Sequence, residues 1–92
     1  MKYNIAYSPK FKKAYKKLNA KEELETDIII NRLANDETLE ELEEKYKDHA
    51  LKGNYIGFRE CHIKPDLLLV YRKRDDILEL YLANLGNHNN IF

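Results

Sequence analysis

His49, His62 and His88 are the three histidines of a 92-residue chain, and their surroundings decide what an imidazole can do. A Lys64-Pro65-Asp66 turn follows an extended run that ends in His62. Such a turn folds the chain back on itself, so the sequence predicts His62 and Asp66 as neighbours. An imidazole beside a carboxylate can take up and release a proton near neutral pH. Three histidines and an acid could also ligate zinc, but these spacings match no short metal signature. Cys61 beside His62 suggests a thiolate–imidazole pair, yet adjacent residues of a regular strand point to opposite faces. Cys61 is therefore expected as a small buried residue. Tyr55, Tyr71 and Tyr81 could stack on nucleobases, although strand tyrosines commonly serve packing. Phe92, at the end of the sequence, suits either a core plug or a stacking platform. Gly53, Gly57 and Gly86 form no phosphate-binding loop pattern.

The elements that must position these residues follow from the hydrophobic pattern. Tyr3, Ile5 and Tyr7 alternate with Asn4 and Ala6 in an opening strand over residues 2–7. Ser8-Pro9 starts a helix, with Ser8 as N-cap and Pro9 at the first helical position. Phe11, Tyr15 and Leu18 form its apolar stripe, and Lys10, Lys13 and Lys17 its basic outer face. Asn19-Ala20 breaks this helix. A second is expected from about Lys21 to Leu33 or Ala34, with Ile28-Ile29-Ile30 spreading apolar surface around most of the cylinder. Residues 37–45 read as a short acidic helical turn with Leu39 and Leu42 inward. A meander completes the chain: a strand over 55–63, the Lys64-Pro65-Asp66 turn, a strand over 67–72, a turn at Arg74-Asp75-Asp76 and a strand over 77–83. In that last strand Leu78, Leu80 and Leu82 face one way. The order β-α-α-β-β-β describes one α+β domain over residues 1–92. Two main helices pack on one face of a mostly antiparallel four-stranded sheet, and the other face is open.

Strand direction then brings distant residues together. The His62/Asp66 turn lies at one end of the sheet and the Asp75-Asp76 turn at the other. The last strand returns to the first end and delivers Gly86-Asn87-His88 there. His49 precedes a strand that starts at the wrong end, and a loop through Gly53 could carry it back.

Composition sets the remaining bounds. A single cysteine allows no intramolecular disulfide and fits a reducing cytoplasm. The first residues lack the apolar stretch of a signal peptide, and no later run could span a bilayer, so no membrane role is expected. The formal net charge is zero, but by cancellation. Residues 1–21 hold seven lysines and no acid, whereas residues 22–48 hold eleven acids against Arg32, Lys45 and Lys47. Basic and acidic blocks of this kind can face different partners, or be plain solvated helix faces.

Four blocks carry a resemblance: Asp48-His49-Ala50-Leu51-Lys52-Gly53, the run from Phe58 through Arg59-Glu60-Cys61-His62-Ile63-Lys64-Pro65 to Asp66, Leu69-Val70-Tyr71, and Leu85 to Phe92. In this order they closely resemble the YafQ family, toxins of bacterial type II toxin–antitoxin modules within the RelE/ParE superfamily. The resemblance implies a RelE-like fold and a cytoplasmic ribonuclease that cuts messenger RNA on the ribosome. It implies no metal and no cofactor: the ribose 2′-OH attacks the adjacent phosphate. It places His49, His62, Asp66 and His88 at catalytic positions and Phe92 at the terminal aromatic. His88 is then the expected general acid, Asp66 with His62 the base or orienting pair, and His49 with Arg59 a phosphate contact. Glu60 stands where relatives often have aspartate. Asn84-Leu85 replaces a common Arg-Thr, and Lys52 or Arg59 is expected to make up for the missing arginine. Lys10, Lys13 and Lys17 suit ribosomal RNA, while the acidic segment suits solvent or a neutralising antitoxin. Operator DNA is expected to be met only through that antitoxin. The competing readings are a non-enzymatic, ParE-like inhibitor of DNA gyrase, a metal-dependent nuclease, and an inert binding module.

Overall fold

The computed structural model describes residues 2–36 and 39–92; the side chains of Leu39, Glu40 and Leu42 lie outside the description, and with them the expected inward packing of Leu39 and Leu42. The elements are β1 (Asn4–Tyr7), α1 (Pro9–Tyr15), α2 (Ala20–Ala34), α3 (Leu39–Tyr46), β2 (His49–Ala50), a 3-10 turn (Gly53–Tyr55), β3 (Arg59–Lys64), β4 (Leu67–Arg74), β5 (Glu79–Gly86) and α4 (His88–Ile91). The strands form a five-stranded sheet in the order β1-β5-β4-β3-β2. Among the described strands, only the β1–β5 pair is parallel. The sheet thus has one strand more than expected, because residues around His49 pair with β3 rather than looping past it.

Local chemistry explains the helix ends. Ser8 Oγ accepts from the Phe11 N–H at 3.0 Å and donates to the Ala83 carbonyl at 2.6 Å, capping α1 and tying it to β5. α1 ends at Tyr15, short of the expected break at Asn19-Ala20, and Asn19 instead caps the start of α2. Its side chain accepts from the Glu22 N–H at 2.8 Å, while Glu22 accepts from the Asn19 N–H at 3.1 Å, a capping box that starts α2. Thr26, Ile29, Ile30 and Leu33 form the buried face of α2 at helical spacing. Ile28 is 47% exposed, so the isoleucine run does not wrap the cylinder as expected.

Phe11, Ile29, Ile30, Leu33 and Ala34 pack against Cys61, Leu69, Tyr71, Leu80 and Leu82 on the helix-covered face. Each large apolar side chain buried there contributes about 1.5–3 kcal/mol. The second face is not open. Leu68, Val70 and Ile91, with Leu51, Phe58 and Ala83, form a smaller cluster beneath α4 and the β2–β3 connection. Two register shifts adjust the strands. One, between Val70 and Tyr71, leaves Ala83 unmatched in β5, so Leu80, Leu82 and Leu85 all reach the helix side despite their odd spacing. The other, between His62 and Lys64, leaves Ile63 unmatched in β3. Leu78, expected in line with Leu80, instead sits in the turn with φ 49° and is 42% exposed. Among the described residues, no helix is long and apolar enough to cross a membrane.

The junction of α3 and β2 is fixed by a buried acid. The Asp48 side chain is fully buried and accepts from Arg59 Nε at 2.6 Å and from the Tyr71 hydroxyl. Burial and this hydrogen bond push the Tyr71 phenol well up, so it stays a donor. Replacing Asp48 with Asn is expected to cost about 3 kcal/mol, the lower end for breaking a buried ion pair, because Arg59 keeps some solvent contact. Tyr71→Phe is expected to cost about 1–3 kcal/mol. Urea unfolding checks both; an Asp48→Asn midpoint equal to the parent's contradicts this account. Ser8→Ala is expected to cost about 1–2 kcal/mol by the same measurement.

Candidate active site

Alternation along β3 divides its side chains between the two faces. Arg59, Cys61 and Ile63 turn toward the helices, whereas Glu60 and His62 turn toward the second face, opposite Val70 and Leu68 of β4. β2 runs antiparallel to β3 with His49 opposite Glu60. Three polar side chains therefore meet on one patch. The Glu60 carboxylate, nearly buried, lies 3.3 Å from His62 Nε2 and 3.8 Å from His49 Nε2. The two imidazole rings stand 6.4 Å apart, centre to centre. His49 Nδ1 lies 2.8 Å from the Lys47 carbonyl, and because a carbonyl only accepts, Nδ1 carries the proton. The left-handed backbone of Lys47 (φ 53°) aims that carbonyl.

His88 opens α4, just beyond Gly86, which is in register with Leu68 and, one strand further, with His62. The backbones of His62 and Gly86 are thus about 10 Å apart, two strand spacings. Gly86 has φ 154°, a conformation that lets β5 turn into α4 and that an L side chain rarely adopts. The His88 ring lies 5.0 Å from the Phe92 ring, which meets Tyr55 edge-on at 4.9 Å. Phe92 is 43% exposed and so is not a core plug.

Other residues fall elsewhere. The expected His62–Asp66 pair does not form among the described contacts. The carboxylate of Asp66 is 79% exposed and sits 3.9 Å from Lys64 Nζ. Residues i and i+2 of a strand share a face, so Glu60 reaches His62, while Asp66 lies beyond the turn. Arg59 faces the helix side, held by Asp48, and does not join the cluster. Burial, reinforced by the Asp48 and Glu60 charges, pushes the Cys61 thiol far up, which removes the thiolate option. Lys52 is exposed and precedes the 3-10 turn. Lys10 and Lys13 on α1 and Lys17 in the turn after it line a groove of about 570 Å³ together with Asn84, Gly86 and Asn90, so this basic stretch borders α4. Among the described residues, no group of three or more His, Cys, Asp or Glu side chains is arranged to hold a metal ion.

Two contributors escaped the reading of the sequence. Asp48 had no role assigned, and no periodicity marks it. Arg72 was legible: Leu68, Val70 and Arg72 alternate on the face of His62, and its guanidinium lies over Phe58 and Tyr81 at 5.0 and 5.4 Å.

Comparison with known proteins identifies the family to which the chain belongs. Residues 3–92 match the family described as bacterial toxin of type II toxin–antitoxin system, YafQ. A Haemophilus influenzae relative named for YafQ is 44% identical over 63 residues, 66% of this chain and 55% of that protein. The mRNA interferase toxin YafQ of Escherichia coli K12 is 33% identical over 95 residues, 100% of this chain and 94% of that protein. A chain of the E. coli DinJ–YafQ toxin–antitoxin complex superposes with a TM-score of 0.79 at 27% identity, covering 100% of this chain and 99% of that one. With nearly its whole length matched and the fold shared, this chain belongs to the YafQ family of toxins of type II toxin–antitoxin systems.

Proposed function

We propose that the chain acts, as one domain, as a cytoplasmic endoribonuclease that cuts messenger RNA on the ribosome and is neutralised by a protein antitoxin. The observation that carries this reading is the buried Glu60 carboxylate shared by two imidazoles on the sheet face at whose end His88 stands. Its relative in E. coli is named an mRNA interferase, and a related toxin has been crystallised with its antitoxin.

The chemistry can be written through these residues. His62, oriented by Glu60 through Nε2, takes the proton of the ribose 2′-OH on Nδ1, and Glu60 stabilises the imidazolium that results. The 2′ oxygen attacks the adjacent phosphorus and the bond to the 5′ oxygen breaks. His88 gives that oxygen a proton, leaving a 2′,3′-cyclic phosphate and a 5′-OH. His49, its Nδ1–H held by the Lys47 carbonyl, presents Nε2 to the phosphate when protonated. Asp66, at the rim, is left outside the proton-transfer set, and Arg59 is reassigned from phosphate contact to holding Asp48. Phe92 flanks His88 as a surface for a base. The groove of Lys10, Lys13 and Lys17 leads the RNA backbone toward α4, and Lys52 adds an exposed charge on the other side. None of these steps asks for a metal.

Single-turnover cleavage on programmed ribosomes tests the assignment. His88→Ala is expected to lower the chemical step by about 10²–10⁴-fold while ribosome binding persists, because binding rests on dispersed charges. Parental rates in excess chelator are expected to be unchanged. Cleavage by His88→Ala at the parental rate removes His88 as the acid, and loss in chelator replaces this scheme with a metal-dependent one. Expression of the chain alone is expected to arrest growth, and co-expression of its antitoxin to restore it.

A further inference from the structure

Beside the His88 end of the second sheet face lies a cavity of about 490 Å³ that no proton-transfer residue lines. Tyr55, Phe58 and Tyr81 give it aromatic walls, Asn54 and Asn84 give it amides, and Lys10 gives it a cation. Arg72 lies over both the Phe58 and Tyr81 rings, so two walls are braced by one charged plane. Its Nε is buried without a hydrogen-bond partner among the described residues. The guanidinium is therefore held by ring faces on that side. Asn84 Oδ1 accepts from the Leu85 N–H at 2.9 Å, which leaves its NH₂ free to donate. The cavity adjoins the reacting groups through two ring contacts, Tyr55 on Phe92 and Phe92 on His88.

Flat rings for stacking, amides for a polar edge and a cation for the backbone are what holds a splayed nucleotide of single-stranded RNA. An apolar peptide would use the rings but leave the amides unsatisfied. We propose that this cavity receives the nucleobase of a nucleotide adjoining the scissile phosphate, with Tyr55 and Tyr81 as stacking walls and Asn54 and Asn84 as readers of its edge. The inference rests on the ribonuclease reading above and assigns part of its sequence preference to residues remote from the proton transfers.

The test uses ribosomes programmed with messages that carry one abasic nucleotide at successive positions around the cleavage site. The parental chain, Tyr81→Leu and Asn54→Ala are compared in single-turnover cleavage. The parent is expected to cut one abasic message roughly 5- to 150-fold more slowly than the intact one, the range that base–aromatic stacking spans. In Tyr81→Leu that particular penalty is expected to shrink toward none, because the wall is already missing. Asn54 is exposed on the 3-10 turn, so Asn54→Ala keeps its fold and is expected to reduce the penalty at the same position. It decides the matter if Tyr81→Leu does not fold. A parent that cuts every abasic message alike, or a penalty that neither variant changes, overturns the cavity while leaving the ribonuclease in place. A parent that cuts no message on ribosomes overturns both.

Discussion

A carboxylate with no solvent contact must be neutralised where it stands, because moving it out of water costs several kcal/mol. Asp48 meets that condition with two strong donors, Arg59 on β3 and Tyr71 on β4. The bond set joins three consecutive strands of the sheet at one point. It matters because β2 is only two residues long, and so short a ladder has little stability of its own. The chain enters Asp48 from the left-handed Lys47 and leaves it as His49. Pinning Asp48 therefore fixes both the carbonyl that His49 Nδ1 addresses and the place where its ring meets Glu60. One buried charge on the helix side thus arranges another on the second face.

The register shifts have a comparable effect on the other half of the site. Without the unmatched Ala83, Leu85 would fall on the face of Val70 and α4 would leave β5 in a different direction. With it, Leu85 joins the helix-side core, and Gly86 comes level with Leu68 and His62. Ile91 then returns to cover Leu68 and Val70. The short terminal helix is held by packing as well as by its Asn87 cap, whose side chain accepts from the Asn90 N–H at 2.8 Å. His88 is carried on an anchored turn.

Much of this was legible beforehand, for identifiable reasons. β4 reads as a strand from the apolar run Leu67-Leu68-Leu69-Val70-Tyr71, although the same run marks a strand covered on both faces, against the open face expected. Ser8-Pro9 fixes the start of α1 through capping chemistry that is local. Strand direction alone was enough to place His88 at the His62 end. What failed was whatever depends on one residue more or less. Leu78 was counted as strand because alternation continues through it, yet a four-residue turn needs it left-handed. Asp66 was chosen over Glu60 as the partner of His62 because a turn suggests closeness, whereas the two-residue period of a strand gives the better rule. Asp48 could not be found by pattern at all, since its partners lie 11 and 23 residues away. Membership in a family was legible through linked blocks of sequence, which carry no information on side-chain contacts.

The zero net charge conceals an uneven distribution of charge over the fold. Several acids are committed to neighbours: Asp36 to Lys2 and Lys73, Glu22 to Lys64, Glu41 to Arg32 and Glu43 to Arg59. The lysine partners hold the Asp36 and Glu22 carboxyls below the usual carboxylate range. Lys10, Lys13 and Lys17 instead line the groove that borders α4. A polyanion approaching the protein responds to local potential rather than to the total. The positive groove meets the second sheet face where Gly86 turns into His88, with Lys10 lining both this groove and the aromatic cavity. Charge, rings and imidazoles follow one another around a single strand end. A chain of no net charge can therefore carry a local positive potential beside the strand end where His88 stands.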